Sequence, residues 1–311
     1  MTTGVRTASS TPHPASDAHL LHAATEMGAV TLRVADLDRM RTYFAAGVGL
    51  DVLSDSGAVV TLGRGGMPIV ALEHSPLLRL ASPADAGLYH TAIVFDSERD
   101  LARALLSVAQ KFPGSFTGSA DHIVSKAFYF DDPEGNGVEL YWDRPRSTYR
   151  WVDGTLQMGT LPLDPNRYLA EHLGTDPDAE APASGAKVGH IHLQVGDVDT
   201  AREFYVTRLG FDSVIEMPGS ALFVSAGGYH HHMAMNVWRS RGAGPRVPSL
   251  GLGSVRIEVP GADDLTAVRE RLTHYGHAVR DDGQSIRVSD PWNNEIEIAA
   301  AARRAGEDGA A

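Results

Sequence analysis

The feature that most restricts this chain is that it repeats itself. Residues 27–51, MGAVTLRVADLDRMRTYFAAGVGLD, align without a gap with residues 188–212, VGHIHLQVGDVDTAREFYVTRLGFD, so the two halves are copies of one folding unit. Each copy opens on alternating apolar residues, the signature of a half-buried strand. ADLD or GDVD then caps a helix that carries an aromatic pair, and Leu-Gly stops it. Short strands joined by Gly-rich turns follow, GAVVTLGRGGMPIVALE in one half and SALFVSAGGYHHHMAMNVW in the other, which makes the unit βαβββ. A shorter echo follows each copy. YHTAIVF and GSVRIEV precede helical stretches, and the echoes close after Asp-Pro turns in FYFDDPEGNGVELYW and IRVSDPWNNEIEIAA.

The chain is therefore expected to fold as α+β, with four βαβββ modules at about 27–75, 86–145, 186–240 and 250–300. The expected division is a flexible tail 1–26, a first domain 27–145, a linker 146–185, a second domain 186–300 and a flexible tail 301–311. There is no cysteine, which excludes disulfides, thiolate metal sites and cysteine nucleophiles. Any metal must then be held by His, Asp, Glu or Tyr. A formal charge of −12 without a Lys/Arg cluster argues against nucleic acid as a partner. No stretch has the length and apolarity of a membrane span or secretion signal, so a cytoplasmic location with no membrane partner is expected. The expected partner is a small molecule.

Three adjacent histidines, His230, His231 and His232 in SAGGYHHHMAM, invite a metal-site reading. In an extended chain, however, neighbouring side chains point to opposite faces, so at most His230 and His232 share one. A complete site must draw on other parts of the chain.

With the motifs GLYHTAI, DPEGNGVELYWDRP, VGHIHL and ALFVSAGGYHHH in this order, the sequence resembles the vicinal oxygen chelate superfamily, which includes glyoxalase I and type I extradiol dioxygenases. It looks most like the two-domain catechol 2,3-dioxygenases of bacteria, over about residues 27–300. The resemblance implies modules paired into open barrel-like mixed sheets around one divalent metal, with ligands at the start of a module's first strand and in its last strand. The first-strand places are Ala29, His90, His190 and Ser254; the last strands offer Glu139 and Glu297. Sequential pairing leaves each half one ligand short. Pairing the second module with the third unites His90, Glu139 and His190, and leaves Ala29, Ser254 and Glu297 in a metal-free half. His192 shares a face with His190 by period two and is an alternative ligand or a neighbour of the ligands. Two histidines and a carboxylate suit Fe(II) with open positions, the assignment the resemblance implies; Mn(II) or Zn(II) accept the same donors.

The resemblance also implies an acid-base histidine in the AGGYHHH turn, placed at His231 ahead of His230 and His232. It implies a tyrosine beside the metal at Tyr129 and a second pocket histidine at His122. His122 and Tyr129 are seven apart and would face opposite sides of an unbroken strand, so one of them is expected on a turn. YWDRPRS is read as a pocket rim, with Trp142 as a candidate substrate wall. The function expected is ring cleavage of catechol or a substituted catechol with O₂. The alternatives are a glyoxalase-like lyase or isomerase, for which a fourth ligand is sought near Asn236 in HMAMNVW, and a non-catalytic small-molecule binder. Edge strands leave homo-oligomer formation open.

Overall fold

The computed structural model describes residues 20–153, 155–173 and 184–301. The first module contains β1 (Glu26–Val34), α1 (Leu37–Thr42), β2 (Asp51–Asp55), β3 (Val59–Arg64) and β4 (Met67–His74). The second contains β5 (Gly87–Phe95), α2 (Glu98–Lys111), β6 (Phe116–Asp121), β7 (Ser125–Asp131) and β8 (Gly137–Asp143). Between the halves lie β9 (Trp151–Val152), β10 (Thr155–Leu156) and α3 (Pro165–Leu173). The third module contains β11 (Ala186–Gln194), α4 (Val198–Arg202), β12 (Asp212–Met217), β13 (Ala221–Ser225) and β14 (Met233–Asn236). The fourth contains β15 (Gly251–Val259), α5 (Ala262–His274), β16 (Arg280–Asp281), β17 (Ser285–Ser289) and β18 (Glu295–Ala300).

The repeated helix starts because Asp36 and Asp197 accept hydrogen bonds from the backbone N–H of Arg39 and Thr200, at 3.0 and 2.7 Å, satisfying donors that a helix leaves orphaned. Both helices then widen into a π turn, at Tyr43–Val48 and Glu203–Arg208, whose aromatic pairs are buried. Gly49 and Gly210, at φ +86° and +98°, reverse the chain into the next strand.

The strands form two mixed eight-stranded sheets, and each takes one module from each half of the sequence. One runs β16-β17-β18-β15-β1-β4-β3-β2 and joins the fourth module to the first; the other runs β12-β13-β14-β11-β5-β8-β7-β6 and joins the third to the second. Neither sheet is closed. The halves 27–145 and 186–300 therefore do not coincide with the sheets, because the central antiparallel pairs, β1 with β15 and β5 with β11, cross between them. A single large apolar core binds the two sheets, with Val30, Leu32, Ile191, Leu193, Val255 and Ile257 all buried.

The ends of the proposed divisions shift as well. Leu21 is buried and donates its N–H to Gly210 O at 2.7 Å, so packed structure begins before residue 26; positions 1–19 and 302–311 lie outside the described residues. The segment 146–185 is more than a linker. Its helix α3 buries Tyr168 and Leu173, and Tyr168 packs on Phe128. Of the stretch GTDPDAEAPASGA, positions 174–183 lie outside the described residues. No helix among the described residues is long and apolar enough to cross a membrane.

Candidate metal centre and cavity

Sheet register brings the three proposed ligands together. His190 on β11 lies opposite Ala92 on β5, and Ala92 lies opposite Glu139 on β8, so these three residues form one row across adjacent strands. His90 is two residues from Ala92 and so shares its face. The Nε2 atoms of His90 and His190 approach the same Glu139 oxygen, Oε2, at 3.0 and 3.2 Å, and each other at 3.4 Å. All three side chains are buried.

Metal bonds of about 2.1 Å imply donor–donor edges of about 3.0 Å at right angles and about 3.4 Å at the tetrahedral angle. The observed triangle lies in that range, so the donor set fits a divalent cation without choosing its identity. Burial alone would raise the Glu139 carboxyl. The imidazoles of His190 and His90 outweigh it and hold the group well below the usual carboxylate range. Burial pushes His190 down to about 4 against the pull of Glu139. A buried carboxylate and neutral imidazoles are the protonation states that ligate metal.

His190 also converges with His230 and His231. That second set lacks a carboxylate, and both ring nitrogens of His230 are already engaged: Nδ1 lies 2.7 Å from His231 Nδ1, and Nε2 lies 2.9 Å from Asp143 Oδ1. His192 Nε2 is occupied by Asn236 Nδ2 at 2.9 Å, and His192 is absent from both convergent sets. The same register corrects the fourth-ligand place. Ala92 faces Glu139 just as His192 faces Ala234 on β14, so the position matching Glu139 is Ala234 rather than Asn236.

The triad opens onto a cavity of about 700 Å³. Its inner wall includes Tyr89, Phe223 and Trp238, and its polar lining includes His122, Tyr129 and His231. Tyr129 stands on β7 opposite Glu139. His122 lies on the turn before that strand, where Ile123 at φ +73° breaks the alternation and lets His122 Nε2 reach the Tyr129 hydroxyl at 2.7 Å. His122 Nδ1 sits 2.7 Å from the carbonyl of Gly159. A carbonyl only accepts, so Nδ1 donates and a neutral His122 is left to accept the Tyr129 proton at Nε2. Burial, then the charge of Glu139, raises Tyr129 well above the ordinary phenol.

The three adjacent histidines occupy an irregular turn before β14, and they point three ways. Gly227 and Gly228, at φ +62° and +71°, make that turn; a Cβ on Gly227 would also strike the carbonyl of Ala23. His232 Nδ1 accepts from Ala226 N at 3.1 Å, His230 is turned toward Asp143, and His231 alone of the three lines the cavity. Burial and the neighbouring imidazoles, His190 first, hold His231 well below the usual histidine value.

The expected rim is displaced. No residue of YWDRPRS lines the cavity; Trp142 packs against the apolar core on the opposite face of β8, under the Lys126 ammonium. The tryptophan at the cavity is Trp238, and the rim includes Met158–Thr160 from the segment read as a linker. Tyr141, Asp143 and Tyr229 were not singled out as site residues. Period two from Glu139 could have flagged the first two; nothing local marks Tyr229.

The chain is similar in sequence and fold to known proteins. It is 37% identical to the catechol-2,3-dioxygenase of Bacillus subtilis (strain 168) over 276 residues, covering 87% of this chain and 95% of that protein. The model of the Glyoxalase/Bleomycin resistance protein/Dioxygenase superfamily matches residues 187–298. A solved structure from Bacillus subtilis subsp. subtilis str. 168 shares the fold with a TM-score of 0.62 at 16% identity, over 88% of this chain and 84% of that one. Glyoxalase I from Zea mays does so with a TM-score of 0.54 at 16% identity, over 89% and 92%. By its sequence relationship along nearly its whole length and by its paired βαβββ modules, the chain belongs to the glyoxalase/bleomycin resistance protein/dioxygenase superfamily.

Proposed function

We propose that this protein is an extradiol dioxygenase, cleaving the ring of catechol or a substituted catechol with O₂ at an Fe(II) held by His90, Glu139 and His190. The observation that carries the reading is the placement of this triad at the edge of a cavity that also presents His231 and the His122–Tyr129 pair. A relative bearing the name catechol-2,3-dioxygenase supports it. When bound, the metal would take the vicinal oxygens of the diol and provide the redox centre through which ring and dioxygen react.

The chain's own residues supply proton handling and shape. His231, neutral and at the cavity wall, takes the proton that a catechol loses on binding and returns it later in turnover. Tyr129 is kept a phenol, with its hydroxyl proton directed to His122, so its oxygen accepts from the second substrate hydroxyl. Phe223 and Trp238 present aromatic surface to the ring. A cavity of about 700 Å³ leaves room for a ring substituent. A lyase of the glyoxalase type would call for a second carboxylate at the site, and the matching place holds Ala234.

The test is anaerobic purification with Fe(II), followed by catechol and air. Oxygen uptake with a yellow product that deepens in alkali is the expected result. An iron-loaded protein that leaves a panel of catechols colourless and consumes no O₂ would overturn the reading.

A further inference from the structure

His231 is joined to Asp143 through His230. Asp143 on β8 is 87 residues away from His230 in sequence, yet its Oδ1 lies 2.9 Å from His230 Nε2, and His230 Nδ1 lies 2.7 Å from His231 Nδ1. The other carboxylate oxygen, Oδ2, accepts from the Tyr229 hydroxyl at 2.7 Å, and the Tyr229 oxygen lies 2.7 Å from the Tyr141 hydroxyl. Tyr141 in turn needs Gly189, since a Cβ there would overlap its hydroxyl. Asp143 is thus pinned on one oxygen, leaving the other for His230. His230 is fully buried and Tyr141 and Tyr229 are buried beside it.

The donors in this chain can be assigned from one end. A carboxylate has only lone pairs, so His230 must donate from Nε2. In its neutral form His230 then has a bare Nδ1, which can only accept. The bond of 2.7 Å therefore requires that His231 donate from Nδ1. A neutral His231 with its proton on Nδ1 has an unprotonated Nε2. The structure assigns Asp143 the role of a positioning residue: acting through His230, it holds His231 as the Nδ1–H tautomer, so that the free ring nitrogen is a base ready to take a substrate proton. The arrangement is the logic of a carboxylate orienting a histidine, extended by one imidazole. Its catalytic meaning rests on the ring-cleavage reading above, but the tautomer itself does not.

The tautomer can be read directly. In Zn(II)-loaded protein labelled with ¹⁵N-histidine, with the His231 signals identified by their loss in His231→Gln, the ring should show a protonated Nδ1 and a bare Nε2. A proton on Nε2 of His231 would overturn the proposal, since that is the state a cationic His230 would impose. In Asp143→Asn and Asp143→Ala the lock is released, and the His231 signals should leave the Nδ1–H form in at least one of the two. In the Fe(II) enzyme both substitutions should lower kcat about ten- to a hundredfold while KM and iron content stay within twofold of wild type. Wild-type kcat in both variants, or His231 signals unchanged in both, would also refute the role. If no catechol is turned over by the wild type, the ring-cleavage reading fails while the Zn(II) spectra still decide the tautomer.

Discussion

The two sheets of this molecule are built on one plan and surround a matched glutamate in different ways. In the sheet of modules two and three, the matched positions hold His190, His90, Glu139 and Ala234; in the sheet of modules one and four they hold Ala29, Ser254, Glu297 and Ala71. Opposite Glu139 on the neighbouring strand stands Ala92, and opposite Glu297 stands Arg256. Arg256 forms an ion pair with Glu297, and Arg287 approaches its other oxygen at 3.0 Å. One carboxylate thus has covalently attached counter-charges. The other has two imidazoles and an empty-sided alanine, which leaves space for a cation. A glutamate at the right place in a module is not evidence of a metal by itself; the residues on the adjacent strands decide.

Moving the arginine from one sheet to the other should abolish the difference between them. Ala92→Arg should pair with Glu139 and exclude the metal, lowering metal affinity by more than about a hundredfold, of order 3 kcal/mol, and taking turnover to background. Stoichiometric metal in the folded variant would show that this position does not separate the sheets. His231→Asn should act on the other half of the site: iron content unchanged, and kcat lower by about 10² to 10⁴, the usual worth of a general acid-base group. Parallel loss of iron would mean that His231 is a ligand.

The sheets should also differ in acid. Among the described residues every buried histidine belongs to modules two and three. Burial pushes His190 down to about 4 and His232 to about 3. Below about pH 6.5 the unfolded chain takes up protons that these folded imidazoles refuse, so stability falls as pH drops from there toward the folded values. In metal-free protein the cost at pH 5 is on the order of 2 kcal/mol for each histidine. Urea midpoints at pH 7 and pH 5 measure it, and equal midpoints would contradict it. The smallest effect is expected in the other sheet. Arg256 is 35% exposed, so Arg256→Ala should cost only about 1 kcal/mol, or a Tm loss of about 2 °C, because solvent screens the pair and Arg287 remains. A much larger loss would mean that this ion pair is a structural centre of its sheet.

What could be read in the sequence follows the same division. The gapless repeat exposed the modules, and the resemblance to the superfamily supplied the ligand places at which His90, Glu139 and His190 stand. Helix caps at Asp36 and Asp197 were legible because they are local. The contacts that escaped are between strands distant in the chain. Asp143 meets His230 only because β5 pairs with β11, and Arg256 explains Glu297 only once β15 lies beside β18. Period two along β8, counted from Glu139, assigns Trp142 to the core face, a count that its place in the rim motif YWDRPRS hides. The segment 146–185 looked like a linker by composition, yet its Gly159 carbonyl orients His122; a backbone acceptor has no sequence signature.

On the reading proposed above, only the sheet of modules two and three holds a metal. The measurement that decides it is the iron content of Glu139→Gln and Glu297→Gln after anaerobic loading with Fe(II) and removal of free ion. Loss of iron is expected in Glu139→Gln and one iron per chain in Glu297→Gln. Iron retained by the first and lost from the second would contradict it.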